Sequence, residues 1–219
     1  MEDLMRSAPF FVLEGIDGAG TTTQTARLSE ALRSRNLEVH ATREPSDGPV
    51  GMLLRQILTG RVVTPGEAGP LRAAKLALLF AADRMDHLEV EVLPRLTAGE
   101  CVVSDRYDHS TVAYQSVSGR DPGSIPWLRE LNRFARRPDL TIVLDVSPEV
   151  ARARRLSRSS AKELFDDDDL QGRLARFYLE IDAHFPGERI AHVSADRDVD
   201  AVFADVLALT LPFFEGASP

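Results

Sequence analysis

Short apolar runs recur along the chain at residues 10–13, 38–41, 101–104, 141–144 and 190–193. Runs of this length are strand-like rather than helical. The stretches between them carry apolar residues at helical spacing, and Leu28, Ala31 and Leu32 form one side of the first. Strand and helix in alternation predict an α/β fold, a five-stranded parallel sheet with helices on both faces and right-handed crossovers. Residues 71–96 read as a long helix, apolar on one side, that Pro94 kinks or restarts. Residues 45–50 and 62–70 read as loops from their Pro and Gly content, and the polar, two-signed stretch 157–169 as a surface excursion. With no internal repeat and no dividing linker, residues 1–219 are expected to form a single domain.

Composition narrows the class. The chain has 219 residues, 43% hydrophobic and 27% charged, which suits a globular domain with a sizeable core. Its net charge of −8 argues against non-specific nucleic-acid binding, so any anion site must gather its arginines locally. The single cysteine, Cys101, excludes an internal disulfide framework and fits a reducing cytoplasm; in an apolar strand it is expected to be packed and inert. The opening residues carry Glu2 and Asp3 and lack the apolar core of a signal peptide, and no segment is apolar and long enough for a membrane span.

The most informative stretch follows the first strand. Gly15, Gly20 and Thr22 match the phosphate-binding loop G-x-x-x-x-G-K-[ST], with Thr21 where the pattern has lysine. Glycines let the backbone curl until successive N–H groups face a polyphosphate, and the helix that follows adds the partial charge of its N-terminus. Thr22 supplies the hydroxyl expected to reach Mg²⁺. In parallel sheets of this kind ligands bind beyond the carboxyl ends of the strands. Arg43-Glu44-Pro45 after the second strand and Asp105-Arg106-Tyr107 after the third should therefore converge on the loop, as a second phosphorylated molecule beside a Mg-nucleotide would require.

Taken together, residues 11–24, Thr42-Arg43-Glu44-Pro45, Leu78 to Arg84, Asp105-Arg106-Tyr107 with Ser110 and Ala113-Tyr114-Gln115, and Pro138-Asp139-Leu140 leading to Leu144-Asp145-Val146 resemble the thymidylate kinase family over nearly the whole chain. The resemblance implies a P-loop NTPase fold with a lid at approximately 154–168, conversion of dTMP to dTDP with ATP and Mg²⁺, and a homodimer formed through helices on one sheet face, with residues 71–96 as a candidate element. It also implies roles. Gly15, Asp17, Gly18, Ala19, Gly20, Thr21, Thr22 and Thr23 would hold ATP, with Arg154 near the adenine. Arg43 would clamp the dTMP phosphate; the plain alternative is a surface ion pair with Glu44. Phe80 would stack on thymine and Arg84, one turn later, would bond to the base, although Phe80 by itself reads more often as core, so its stacking role rests on the resemblance. Ser110 and Gln115 would read the base edge. Tyr114 would lie near the sugar, or simply pack. Asp105 would join Thr22 at Mg²⁺ through water. Arg106 would bridge the two phosphates, and Asp17 would face the sugar or order the metal site. Arg158 would reach the transferred phosphate from the lid, with Lys162 a weaker candidate. The acidic run at 166–169 reads as a helix start, and the histidines show no ligand spacing.

Thr21 sets two readings against each other. Removing one well-placed donor costs about a hundred- to a thousandfold in rate. An active kinase would borrow a lid arginine, or Arg106 with Mg²⁺; the alternative is a catalytically weak or inactive nucleotide-binding relative. The presence of Arg43, Phe80, Arg84, Asp105, Arg106 and Gln115 favours catalysis.

Overall fold

The computed structural model describes residues 8–63, 69–157, 164–165 and 167–215. Its centre is β1 (Phe10–Glu14), whose five residues are all buried, as a strand covered on both faces must be. Side chains alternate across the sheet: Phe10 and Val12 pack with Leu88, Val92 and Leu96, while Phe11 and Leu13 pack with Leu28 and Leu32 on the other side. Around β1 stand β2 (Val39–Arg43), β3 (Cys101–Asp105), β4 (Leu140–Asp145) and β5 (Ile190–Ser194), in the order β2-β3-β1-β4-β5 and all parallel.

The five expected strands are present, and the second is shifted. Its pairing continues past the apolar run, with Thr42 opposite Ser104 and Arg43 opposite Asp105. Backbone hydrogen bonding recruits these polar residues, which an apolar pattern cannot register. Leu13 also stands opposite Asp105. Register thus brings the ends of β1, β2 and β3 together on one rim of the sheet.

The helices are α1 (Thr21–Arg33), α2 (Pro49–Leu58), α3 (Pro70–His87), α4 (Leu93–Thr97), α5 (Asp108–Gly119), α6 (Ile125–Leu131), α7 (Pro148–Ser157), α8 (Asp168–Leu179) and α9 (Val199–Thr210). The predicted long helix is two helices joined by a π-helical turn at Leu88–Val92, where the Leu93 N–H bonds to the Leu88 carbonyl. Pro94 sits in the first turn of α4, and the widened turn before it accommodates a residue with no N–H to give. The predicted loop at 45–50 is shorter than expected, because α2 begins at Pro49. The polar stretch likewise loses both ends to helices: Ser157 closes α7, and Asp167 caps α8 by accepting from the Leu170 N–H. Cys101 is buried, and burial pushes its thiol up to about 12, so it is inert at neutral pH. Among the described residues no helix is long and apolar enough to cross a membrane.

Candidate active site

Between β1 and α1 the chain makes the glycine loop. Gly18 has φ +95°, and a Cβ there would lie 2.4 Å from the Ala151 carbonyl oxygen, so α7 packs directly on the loop backbone. Gly20 has φ +101° with open space where its Cβ would be. It begins α1 without a side-chain cap among the described residues, which leaves the first N–H groups of the helix for a ligand. Thr22 donates its hydroxyl proton to Asp105 Oδ2, while Asp105 Oδ1 is buried with no partner among the described residues. An orphaned carboxylate oxygen beside a threonine hydroxyl suits a hydrated Mg²⁺, so the donor set fits the ion that the fold implies. Thr21 is buried at the start of α1 and brings no charge.

Three guanidiniums touch the loop instead. Arg106, with a left-handed backbone at φ 72°, donates to the Gly15 carbonyl (2.9 Å) and to Asp17 Oδ1 (2.6 Å). Burial works against its charge, but its surroundings, with the Asp17 carboxylate in direct contact and Glu14 nearby, outweigh this and hold it protonated. Arg155 donates to the Asp17 carbonyl (2.8 Å) and to Asp168 (2.8 Å). Arg154 reaches the Ala19 carbonyl (3.4 Å) and the Ala195 carbonyl (2.9 Å), and so stands between the loop and the end of β5. Arg158 and Lys162 lie outside the described residues.

Beside the loop opens a cleft lined by Asp17, Pro45, Phe80, Arg84, Tyr114 and Gln115, with Arg106, Tyr107 and Phe165 among its other walls. α3 supplies Phe80 and Arg84 one turn apart, and α5 supplies Tyr114 and Gln115. Arg84 is 1% exposed: it donates to Glu44 (2.6 Å), Asn132 (2.5 Å) and Thr111 (3.1 Å), and its Nε has no partner among the described residues. Gln115 is 2% exposed with both amide atoms unpartnered. Buried groups left in this state cost free energy unless a ligand completes them. An amide that both gives and accepts, an Nε–H and an aromatic face suit a flat heterocycle with a matching edge.

Other expected residues are more constrained. Ser110 lies on the cleft wall, but its hydroxyl donates to Glu14 (2.6 Å) and accepts from Arg106 (3.0 Å). The Tyr114 hydroxyl lies close to Asp17 and Arg106 without a well-formed hydrogen bond to either, and the Arg106 guanidinium stands 5.2 Å over its ring. Arg43 is outside the cleft lining, more than half exposed, and paired with Asp47 at 3.0 Å. The expected alternative partner, Glu44, is buried and committed to Arg84 and His87.

Several supporting residues were given no role in the sequence analysis. Glu14, the last residue of β1, accepts from the N–H groups of Tyr107 (2.8 Å) and Ser110 (3.1 Å) and from the hydroxyls of Ser110 and Tyr178 (2.9 Å). Burial nonetheless raises its pKa against these donors and against His109 and Arg106. Asp83 accepts from Ser46 N–H (2.8 Å) and fixes the chain after β2. Gln171, on α8, reaches Asp17. A polar residue after an apolar helical run was the available hint for Asp83, and a charge closing an otherwise apolar strand was the hint for Glu14; Gln171, among the charged residues of α8, had none. Among the described residues no group of three His, Cys, Asp or Glu could by itself hold a metal.

A loop for a polyphosphate and a neighbouring cleft for a flat base, with an arginine spanning the two, are the parts needed to pass a phosphoryl group between nucleotides; the fold and site define a P-loop nucleotide kinase. Residues 13–206 match the family described as thymidylate kinase. The chain is 40% identical over 205 residues to a probable thymidylate kinase of Thermococcus kodakarensis, covering 91% of this chain and 96% of that one. It is 39% identical over 200 residues to a probable thymidylate kinase of Pyrococcus horikoshii (91% and 94% covered). It is 35% identical over 204 residues to a thymidylate kinase of Ruegeria pomeroyi (92% and 94% covered). The chain belongs to the thymidylate kinase family.

Proposed function

We propose that the chain transfers the γ-phosphoryl group of ATP to the 5′-phosphate of dTMP, giving dTDP and ADP. The observation that carries this reading is the cleft beside the loop, whose buried Gln115 amide and Arg84 Nε have no partner among the described residues. In this reading Gln115 pairs with the thymine edge, Arg84 donates to a ring carbonyl, and Phe80 stacks on the ring. Ser110 supports that wall through Glu14 and Arg106, and Tyr114 lies under the sugar. Asp17 faces the sugar or the phosphate end, and Arg43 approaches the acceptor phosphate from the rim. Gly15, Asp17, Gly18, Ala19, Gly20, Thr21, Thr22 and Thr23 form the loop that receives the ATP phosphates, and Arg154 flanks the adenine. Thr22 and Asp105 would hold Mg²⁺, which when bound offsets phosphate charge. Arg106, bound both to Gly15 and to Asp17, stands between donor and acceptor. Segment 154–168 acts as the lid, and Arg158 within it brings charge to the transferred phosphoryl.

The reading of a binding relative without turnover is not favoured. Phe80, Arg84, Tyr114 and Gln115 line the acceptor cleft, and the guanidiniums of Arg106, Arg154 and Arg155 on the loop carbonyls bring the positive charge that Thr21 lacks. The exposed stripe Leu71, Leu78 and Met85, at seven-residue intervals on α3, supports a homodimer through that helix. The lone, inert Cys101 supports residence in the cytoplasm.

A coupled ADP-release assay with Mg·ATP against dTMP, dUMP, dCMP and UMP tests the activity. Turnover is expected with dTMP foremost, and Arg158→Ala should cut kcat by about a hundredfold or more while leaving dTMP affinity nearly unchanged. Intact binding of both nucleotides with no ADP formed would overturn the kinase reading.

A further inference from the structure

Gln171 is fully buried at the start of α8, and all of its amide is used. Its Oε1 accepts from the Asp17 N–H (3.1 Å), and its Nε2 donates to Asp17 Oδ2 (2.9 Å) and to the Phe165 carbonyl (2.8 Å). One side chain thus holds a loop residue by both its main chain and its carboxylate, across 154 positions of sequence. The other oxygen of that carboxylate binds Arg106. Phe165, fixed through its carbonyl, turns its ring onto Tyr114 at 5.2 Å and walls the same cleft.

We propose that Gln171 is a positioning residue for the acceptor nucleotide: it fixes the rotamer of Asp17 and the place of Phe165, so that the acidic end and one apolar wall of the cleft are set by α8. The proposal rests on the reading of that cleft as the dTMP site. It requires a group that accepts and donates at once, because Asp17 presents an N–H and a carboxylate oxygen side by side. Glutamine supplies both. Glutamate, when ionised, would set two acceptors against Asp17 Oδ2 and the Phe165 carbonyl; protonated, it regains a donor. Two carboxylates sharing one site raise the pKa of one of them, with the guanidinium of Arg106 opposing the shift. The other charged or titratable groups facing Asp17 are Arg106 from the turn after β3, Tyr114 from α5, and Arg155 from α7 with its partner Asp168 on α8. The Arg106 charge and the neutral Tyr114 are both held firmly through neutral pH, and neither changes state there.

The test is calorimetric affinity for dTMP, and separately for ATP, at pH 6 and pH 8 on the full chain, for wild type, Gln171→Glu and Gln171→Met. At pH 8, Gln171→Glu should weaken dTMP binding by about tenfold or more relative to wild type, and most of the loss should disappear at pH 6. Gln171→Met, similar in shape but unable to hydrogen-bond, should be weakened alike at both. ATP affinity should fall by much less than dTMP affinity in both variants. Equal loss of ATP and dTMP affinity, following the melting temperature in both variants, marks a purely structural glutamine and overturns the inference. Wild-type dTMP affinity in Gln171→Glu at both pH values overturns it as well, with the functional reading intact. A wild-type chain that binds no dTMP overturns both.

Discussion

His109 illustrates how much of this site rests on charges the ligand never meets. It is fully buried within 3.3 Å of both Asp108 and Glu188, with its ring against Phe185. Burial opposes its charge, yet the Asp108 and Glu188 carboxylates outweigh that and carry its pKa up to about 9 from an ordinary 6.5. The folded pKa is the higher one, so the stabilisation is complete below pH 6.5 and is lost as pH rises through 9. The melting temperature of wild type should exceed that of His109→Gln at pH 6, on the order of a few kcal/mol in stability, and the gap should close by pH 9.5. A gap that stays constant with pH would mean the histidine is neutral in the fold. At this scale the sequence was partly legible. Gly15, Gly20, Thr22 and Asp105 announce themselves, since their chemistry depends on spacing along the chain. Glu44, Asn132 and Gln171 do not, because their value comes from partners 40, 48 and 154 positions away.

Among the elements, the contact between α7 and the glycine loop is the most exacting. With Gly18 at φ +95° and the Ala151 carbonyl where a Cβ would go, Gly18→Ala adds left-handed strain to a backbone collision. A loss of about 3 kcal/mol in stability is expected, together with weaker ATP binding than dTMP binding. Thermal melts and separate titrations of the two nucleotides check this, and a variant with unaltered ATP affinity would show the α7 contact to be dispensable. The strands were legible because each carries a short apolar run, and β1, β3 and β4 are buried almost throughout; the end of β2 was not, because Thr42 and Arg43 join the sheet through backbone pairing alone. Pro94 signalled a break in the long helix. Only the structure shows a widened turn at Leu88–Val92 that keeps Leu88 and Val92 inside the core.

At the level of the whole molecule, the parallel sheet follows from the alternation, whereas its strand order and the rim where three strands end together come from pairing and register in the structure. Association does not follow, since an apolar helix face reads the same whether a core or a second copy covers it. Leu71 is 83% exposed, Leu78 51% and Met85 41%. Sedimentation should give twice the chain mass for wild type, and Leu78→Glu should shift the population toward single chains without unfolding them. A wild type that sediments as one chain at high concentration would remove the dimer. The C-terminal third of the chain has its own part in the phosphate site. Glu14 receives one of its donors from Tyr178, 164 positions downstream. During synthesis, therefore, the first strand and its loop emerge long before the tyrosine that donates a hydrogen bond to that carboxylate exists. An N-terminal nascent chain holds the nucleotide motif in its sequence, but the loop acquires its final electrostatic setting only once α8 has left the ribosome.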